Sequence, residues 1–469
     1  MTAAEEAEML LGAAPCNVVL PAGAGKTELL AHAVGMLSTA QKRTLFLTHT
    51  NAGLDAFRRR LRRLSLPSSG VHISTISAFC ESWCRNYPML AGVEPGGPEP
   101  SFAEFHAGAT AVLGAPSIQA VLAATWDTVL VDEYQDCQPD QHTALMQLAN
   151  AVPMIVVGDP LQAVFNFPGD PTVAWQAVDE QLARLELIPL PRRWEDTNPA
   201  LGDQLLALRE RMLANLPIDL LSYPHIDWIE AQPHNRGPNC KRIADLDGTS
   251  VVITKHRAQC VYLAKRADGK LEALEDLAST DLFECIARID AATPAQRVAE
   301  VGALANRCLA RLPTGFQARL QAVVQGATPT FQPGATLGPF TAAALAARTA
   351  GTPESLRAVS QAISAFPDVV VARRELWTDL DLILALAAES ADETLAHAAN
   401  RIRELRRHGR QRPTDRVIGT PLLVKGLEYQ HALVVDAEHL TREELYVSLT
   451  RGMRTVSVLS ESPVFGPWT

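Results

Sequence analysis

A chain of 469 residues is too long to close around one core, so two to four structural units are expected. Its hydrophobic content of 47% is ordinary, no apolar run is long enough to span a bilayer, and the opening Met-Thr-Ala-Ala-Glu-Glu lacks a signal peptide's basic region; we expect a cytoplasmic protein with no membrane partner. The net charge of −10 excludes a generally basic nucleic-acid binder and leaves any such role to local basic runs, while the eight scattered cysteines, with Cys80 and Cys84 the nearest pair, complete no zinc or iron–sulfur set.

Asn17-Val-Val-Leu-Pro-Ala-Gly-Ala-Gly-Lys-Thr27 reads as a strand, a glycine-containing loop and a helix beginning near Thr27. Around Ala24, Gly23 and Gly25 let the backbone curl so that its N–H groups face an anion, and the helix N-terminus adds its dipole. In such a phosphate loop Lys26 reaches the β- and γ-phosphates of a nucleotide, and the Thr27 hydroxyl joins Mg²⁺. Leu20 stands where the usual pattern has its first glycine. Lys42-Arg-Thr-Leu-Phe-Leu-Thr-His-Thr-Asn51 is a second buried strand ending in polar residues. It leads into a helix over residues 55–63 whose dense basic face is either a solvated surface or a holder of phosphates. Val71-His-Ile-Ser-Thr-Ile-Ser-Ala-Phe79 is a third segment, and Glu94-Pro-Gly-Gly-Pro-Glu-Pro100 reads as loop.

The chain then reaches Val129-Leu-Val-Asp-Glu-Tyr-Gln-Asp136, an apolar strand end followed at once by two carboxylates. Acidic pairs occur on solvated surfaces too, but the C-terminal edge of a parallel sheet is where α/β proteins bind ligands. There Asp132 supplies the carboxylate that Mg²⁺ wants beside phosphate and water, and Glu133 is placed to polarise a water molecule. Met154-Ile-Val-Val-Gly-Asp-Pro-Leu-Gln-Ala-Val-Phe-Asn-Phe167 gives another strand, with Gly158, Asp159 and Gln162 at its end. Strands alternating with helices argue for a parallel sheet. Phe79, Phe165 and Phe167 are either base-stacking rings or buried core.

The second half adds Leu190-Pro-Arg-Arg-Trp194, the strand-like Ser250-Val-Val-Ile-Thr-Lys-His-Arg257, the run Lys425-Gly-Leu-Glu-Tyr429, and Glu443-Glu-Leu-Tyr-Val-Ser-Leu-Thr-Arg451. Together with Gly-Ala-Gly-Lys-Thr, Thr-His-Thr-Asn, Thr-Ile-Ser-Ala-Phe, Asp-Glu-Tyr-Gln-Asp and Gly-Asp-Pro-Leu-Gln, in this order, they resemble a superfamily 1 helicase of the UvrD/Rep type. The resemblance covers roughly residues 15–260 and 415–460.

It implies an α/β fold of two RecA-like parallel-sheet domains around an ATP cleft, with a helical insertion in the second. The expected limits are 1–185 for the first domain, with a short insertion near 90–120, 186–265 for the first part of the second, 266–410 for the accessory insertion and 411–469 for the completion. Within ATP hydrolysis assisted by Mg²⁺, the resemblance gives Gln162 the coupling of phosphate to DNA and Glu428 a contact with the nucleotide sugar. Arg193, and Arg451 as an arginine finger, come from the second domain and neutralise the transferring phosphoryl. The implied partner is single-stranded or tailed duplex DNA, held near Thr50, Asn51, Phe79, Phe165 and Phe167, and the implied activity is helicase or single-strand translocase, 3′→5′ in direction. The alternative is an ATP-gated DNA-sensing subunit of a repair or anti-phage complex, with a protein partner such as a nuclease. Some positions depart from the family pattern. No glutamine precedes Gln41, so an adenine-reading glutamine is missing and preference for ATP over GTP is open; Ala52 and Pro168 replace basic residues common beside DNA. A second basic run, Arg401-Ile-Arg-Glu-Leu-Arg-Arg-His-Gly-Arg-Gln-Arg412, either touches DNA or is a solvated helix.

Overall fold

The computed structural model describes residues 2–93, 100–165, 171–275, 280–332, 334–389, 394–408 and 415–468. The chain divides into two units, one of Met1–His225, Leu440–Arg454 and Val464–Thr469, the other of Ile226–His439 and Thr455–Pro463. Each is built on a six-stranded sheet, the α/β arrangement of two RecA-like domains.

In the first unit the apolar runs form β1 (Cys16–Val19), β2 (Thr44–Thr48), β3 (Val71–Thr75), β4 (Thr128–Val131), β5 (Met154–Gly158) and β6 (Ala183–Arg184), in the order β3-β2-β4-β5-β1-β6. All five pairings are parallel. Successive side chains of a strand point to opposite faces, so one run of apolar residues feeds two cores. Leu45, Leu47, Val129, Val131, Met154 and Val156 enter one; Phe46, Leu130, Ile155 and Val157 enter the other, where Phe46 stacks on Phe57 at 3.6 Å between ring centroids. The stretch expected as a short insertion contains two helices, Phe102–Gly114 and Pro116–Thr125, whose Phe105, Ala109, Val112, Leu113, Ile118 and Leu122 pack into the first core. Most of the expected loop, residues 94–99, lies outside the described residues. A short strand, β7 (Ile218–Asp219), also belongs to this unit.

The unit boundary differs from the expected one. Residues 186–225 and 440–454 were placed in the second domain by sequence, yet they pack with the first unit. The physical reason is burial: Trp194 is enclosed, with its indole N–H donating to the Gly452 carbonyl at 2.8 Å, and Arg209 is buried against Asp159.

The second unit orders its strands β10-β13-β9-β14-β15-β8, where β8 is Ile226–Glu230, β9 Ser250–Ile253, β10 Glu272–Ala273, β13 Arg416–Gly419, β14 Tyr429–Val435 and β15 Gly452–Ser460, the last of which begins within the stretch that groups with the first unit. Between β10 and β13 lie helices from Thr280–Ala291 to Leu395–His408, with a two-stranded pair, β11 (Leu309–Ala310) and β12 (Val370–Val371). These helices bury a core of their own, including Ile289, Val301, Phe316, Phe340, Val359 and Leu380. The last helix carries the start of the second basic run; residues 409–414 lie outside the described residues. The closing strand β16 (Val464–Phe465) pairs antiparallel with β7 in the first unit. All eight cysteines are buried and in no disulfide. Among the described residues no single helix is long and apolar enough to cross a membrane.

Candidate nucleotide site

Strands β4, β5 and β1 are consecutive in a parallel sheet, so their C-terminal ends open on one edge and bring three loops together. After β1 the backbone turns through the left-handed region at Gly23 (φ 75°) and Gly25 (φ 87°), where side chains are strained. At Gly23 there is no room for one: a Cβ would stand 2.4 Å from the Trp194 ring. The buried Ala24 lies between them, and the helix Lys26–Thr39 starts at Gly25 without a side-chain cap. Lys26 is buried, and its ammonium donates to the carbonyls of Leu20 at 3.1 Å and Pro21 at 3.3 Å. Burial lowers its pKa, against the opposing pull of Glu133, Asp159 and Asp132.

Beyond β4, Asp132 accepts the Thr27 hydroxyl at 3.1 Å on one oxygen and the Glu133 N–H at 2.9 Å on the other. Burial first, and then the neighbouring Glu133 charge, push its pKa up to about 7, in spite of Lys26. Two carboxylates crowded at a buried strand end, with a hydroxyl on one of them, are an oxygen donor set that fits Mg²⁺. Among the described residues no cluster of three or more His, Cys, Asp or Glu side chains forms a further metal-binding group. Glu133 adopts φ 55° and ψ 40°, a conformation unusual outside glycine. Its carboxylate accepts the Gln135 side-chain N–H at 2.5 Å.

The third loop, after β5, is organised by Asp159, which is fully buried. One carboxylate oxygen accepts the Arg209 guanidinium at 2.9 Å and the Leu161 N–H at 3.3 Å; the other accepts the Gln162 amide at 3.1 Å. Burial works against the Arg209 charge, but Asp159 outweighs it and raises the guanidinium's pKa. The Asp159 N–H donates to Gln135 Oε1 at 2.9 Å. Tyr446 is enclosed beside Asp159, and its hydroxyl accepts the Ala22 N–H of the phosphate loop at 3.0 Å.

Arg193 reaches the same loop: its backbone N–H donates to Gly23 O at 3.0 Å, its guanidinium donates to Thr450 O at 2.7 Å, and its charge lies near enough to disfavour that of Lys26. Arg451 is 1% exposed and donates to Val447 O and Thr450 Oγ1, both at 2.8 Å, so its guanidinium is turned onto the end of its own helix, Arg442–Leu449. Both arginines belong to the unit of the phosphate loop, which corrects their expected origin in the second domain. Glu428 is exposed just ahead of β14 in the second unit.

Of the residues expected near DNA, Thr50 and Asn51 are exposed beyond β2, with Thr50 capping the helix Asn51–Arg63 through the Gly53 N–H at 3.0 Å. Phe165 is half-buried beyond β5. Phe79 is corrected to core: it is 4% exposed and packs beside Trp83. Phe167 lies outside the described residues. Sequence reading overlooked Gln135, Arg209 and Tyr446. For Arg209 a signal was present, a charged residue on the buried stripe of Leu201, Leu205, Leu208 and Met212.

A glycine-containing loop, a buried lysine and an acidic strand end, on the edge of a parallel sheet, are the arrangement with which P-loop proteins bind nucleotide phosphates. Residues 101–172 match the family described as UvrD/REP helicase N-terminal domain. The match takes in β4 with Asp132 and Glu133, and β5 with Asp159 and Gln162. Motif order and this match, over residues 101–172, both make the chain similar to superfamily 1 helicases of the UvrD/Rep type. No curated protein matches the sequence. Among solved structures, the Pif1 helicase from Candida albicans is similar at 10% identity, over 98% of this chain and 94% of that chain, with a TM-score of 0.40.

Proposed function

We propose that this protein hydrolyses ATP to move along, or unwind, DNA in the 3′→5′ direction. The observation that carries the hydrolytic reading is the meeting of Lys26, Thr27, Asp132, Glu133, Gln162 and Arg193 around the loops of one sheet edge. Phosphoryl transfer asks little covalent chemistry of a protein; it asks for positioning and for positive charge where negative charge develops.

Lys26 exchanges its two loop carbonyls for β- and γ-phosphate oxygens. Thr27 and Asp132 would hold Mg²⁺, which would supply positive charge against the phosphates. Glu133 takes a proton from the attacking water, and Arg193, next to Gly23, offsets charge on the γ-phosphoryl. Arg451 adds to this once its guanidinium leaves Val447 and Thr450, and Glu428 meets the ribose. Gln162, tied to Asp159, carries the presence of the γ-phosphate toward DNA held near Thr50, Asn51 and Phe165; Phe167 joins them on sequence grounds. The direction rests on the UvrD/Rep character of the run after β5.

The test is ATP turnover against length and tail polarity of DNA. Turnover should rise with single-stranded DNA, unwinding should need a 3′ tail, and Glu133→Gln should bind ATP yet hydrolyse it at least ~100-fold more slowly. Unwinding from 5′ tails alone would overturn the direction, and undiminished turnover in Glu133→Gln the assignment of the base. Stimulation by RNA but not by DNA would overturn the substrate.

A further inference from the structure

Gln135 is 1% exposed, in the turn Tyr134–Asp136 that follows the acidic pair, and both ends of its amide are engaged. The NH₂ group donates to the Glu133 carboxylate at 2.5 Å, while the carbonyl oxygen accepts the Asp159 N–H at 2.9 Å. Amide orientation is fixed by these two partners: a flipped Gln135 would set oxygen against carboxylate and N–H against N–H. Gly158 makes room for it, since a Cβ there would stand 2.7 Å from Gln135 Oε1 and equally close to the Trp175 ring. The amide therefore has one orientation and little space to leave it.

What it joins is informative. On one side is Glu133, its backbone in the left-handed region. On the other is Asp159, whose carboxylate holds the Gln162 amide and the Arg209 guanidinium. Glu133, Gln135, Asp159 and Gln162 form a continuous chain of hydrogen bonds between the water-activating carboxylate and the loop after β5. All four belong to the first unit.

Resting on the proposed role of Glu133 as general base, we propose that Gln135 is a positioning residue that fixes the Glu133 carboxylate for attack and makes its alignment depend on the Asp159–Gln162 loop. A shift of that loop moves the Asp159 N–H, the amide follows, and the carboxylate is turned. Such coupling is a claim about pairs, and double-mutant cycles measure it.

The experiment uses the full chain with ATP and single-stranded DNA. Gln135→Met keeps the volume and removes both hydrogen bonds; Gln135→Glu keeps the acceptor for Asp159 but turns a carboxylate toward Glu133. Each should lower kcat on the order of 10–100-fold, the scale of a misaligned reacting group, with KM for ATP within about twofold. In the Glu133→Gln background Gln135→Met should cost nothing further, because it acts through that carboxylate. A matched thermal-unfolding midpoint in Gln135→Glu separates the effect from misfolding. Unchanged kcat in both variants overturns the proposal, as does an equal loss from Gln135→Met in both backgrounds while Glu133→Gln itself is slow. If Glu133→Gln turns over like the wild type, the general-base reading falls and this inference with it.

Discussion

Asp132 is a carboxyl that the fold holds at a cost. Its carboxyl is pushed from 3.8 up to about 7 by burial and by Glu133. A carboxyl raised in this way contributes stability that is complete below its unfolded pKa and is lost as pH rises through about 7. Asp132→Asn should therefore match the wild type in thermal unfolding at pH 4 and exceed it by a few degrees at pH 8, while losing Mg²⁺-dependent turnover. An identical pH slope in the two proteins would show that the strain lies elsewhere. The placing of such residues was legible because it is local: Asp132 and Glu133 follow directly on β4, and Lys26 and Thr27 follow β1 after one short glycine-containing loop. Arg209 and Tyr446 were not, since their partners Asp159 and Ala22 are 50 and 424 positions away. Phe79 was ambiguous for another reason, as a ring that stacks on a base and a ring that fills a core look alike in one sequence.

At the scale of elements, parallel strands are the most readable part of the chain. Runs such as Val129–Val131 are apolar on both faces because helices cover both. The helices Phe102–Gly114 and Pro116–Thr125 were missed because their apolar residues show little periodicity, and they are read only once the sheet they cover is known. Glycines divide by the element that holds them. Gly23→Ala forces the Trp194 ring aside and strains a left-handed residue, so it should destabilise by about 2–4 kcal/mol and abolish nucleotide binding. Gly12→Ala, at the end of helix Ala3–Gly12 with nothing within 4 Å, should be neutral or stabilise by up to about 1 kcal/mol. Urea unfolding of both variants checks this contrast, and equal effects would remove the steric account of the loop.

For the whole molecule, charge sets the character of any contact with DNA. A protein of net charge −10 binds a polyanion only through local basic surface. In the basic helix Arg60 and Arg63 are drawn to Glu28, and Arg58 lies 3.5 Å from Asp55, which leaves Arg59 and Arg62 among its exposed arginines. With three to five phosphates neutralised, the logarithm of single-stranded DNA affinity should fall with the logarithm of salt at a slope of about −2 to −3.5. Fluorescence anisotropy at several salt concentrations measures it, and a slope near zero would mean that DNA is not held by its backbone.

The route of the chain through its two units also has a consequence for synthesis. The unit bearing the phosphate loop is left at His225 and rejoined only at Leu440. During translation the Trp194 indole and the Arg193 guanidinium wait for the carbonyls of Gly452 and Thr450, and Ala22 waits for Tyr446. A ribosome must add more than two hundred residues before that unit has all its parts. Throughout that interval the nascent glycine-containing loop and the residues beside it lack the hydroxyl and carbonyls that close them.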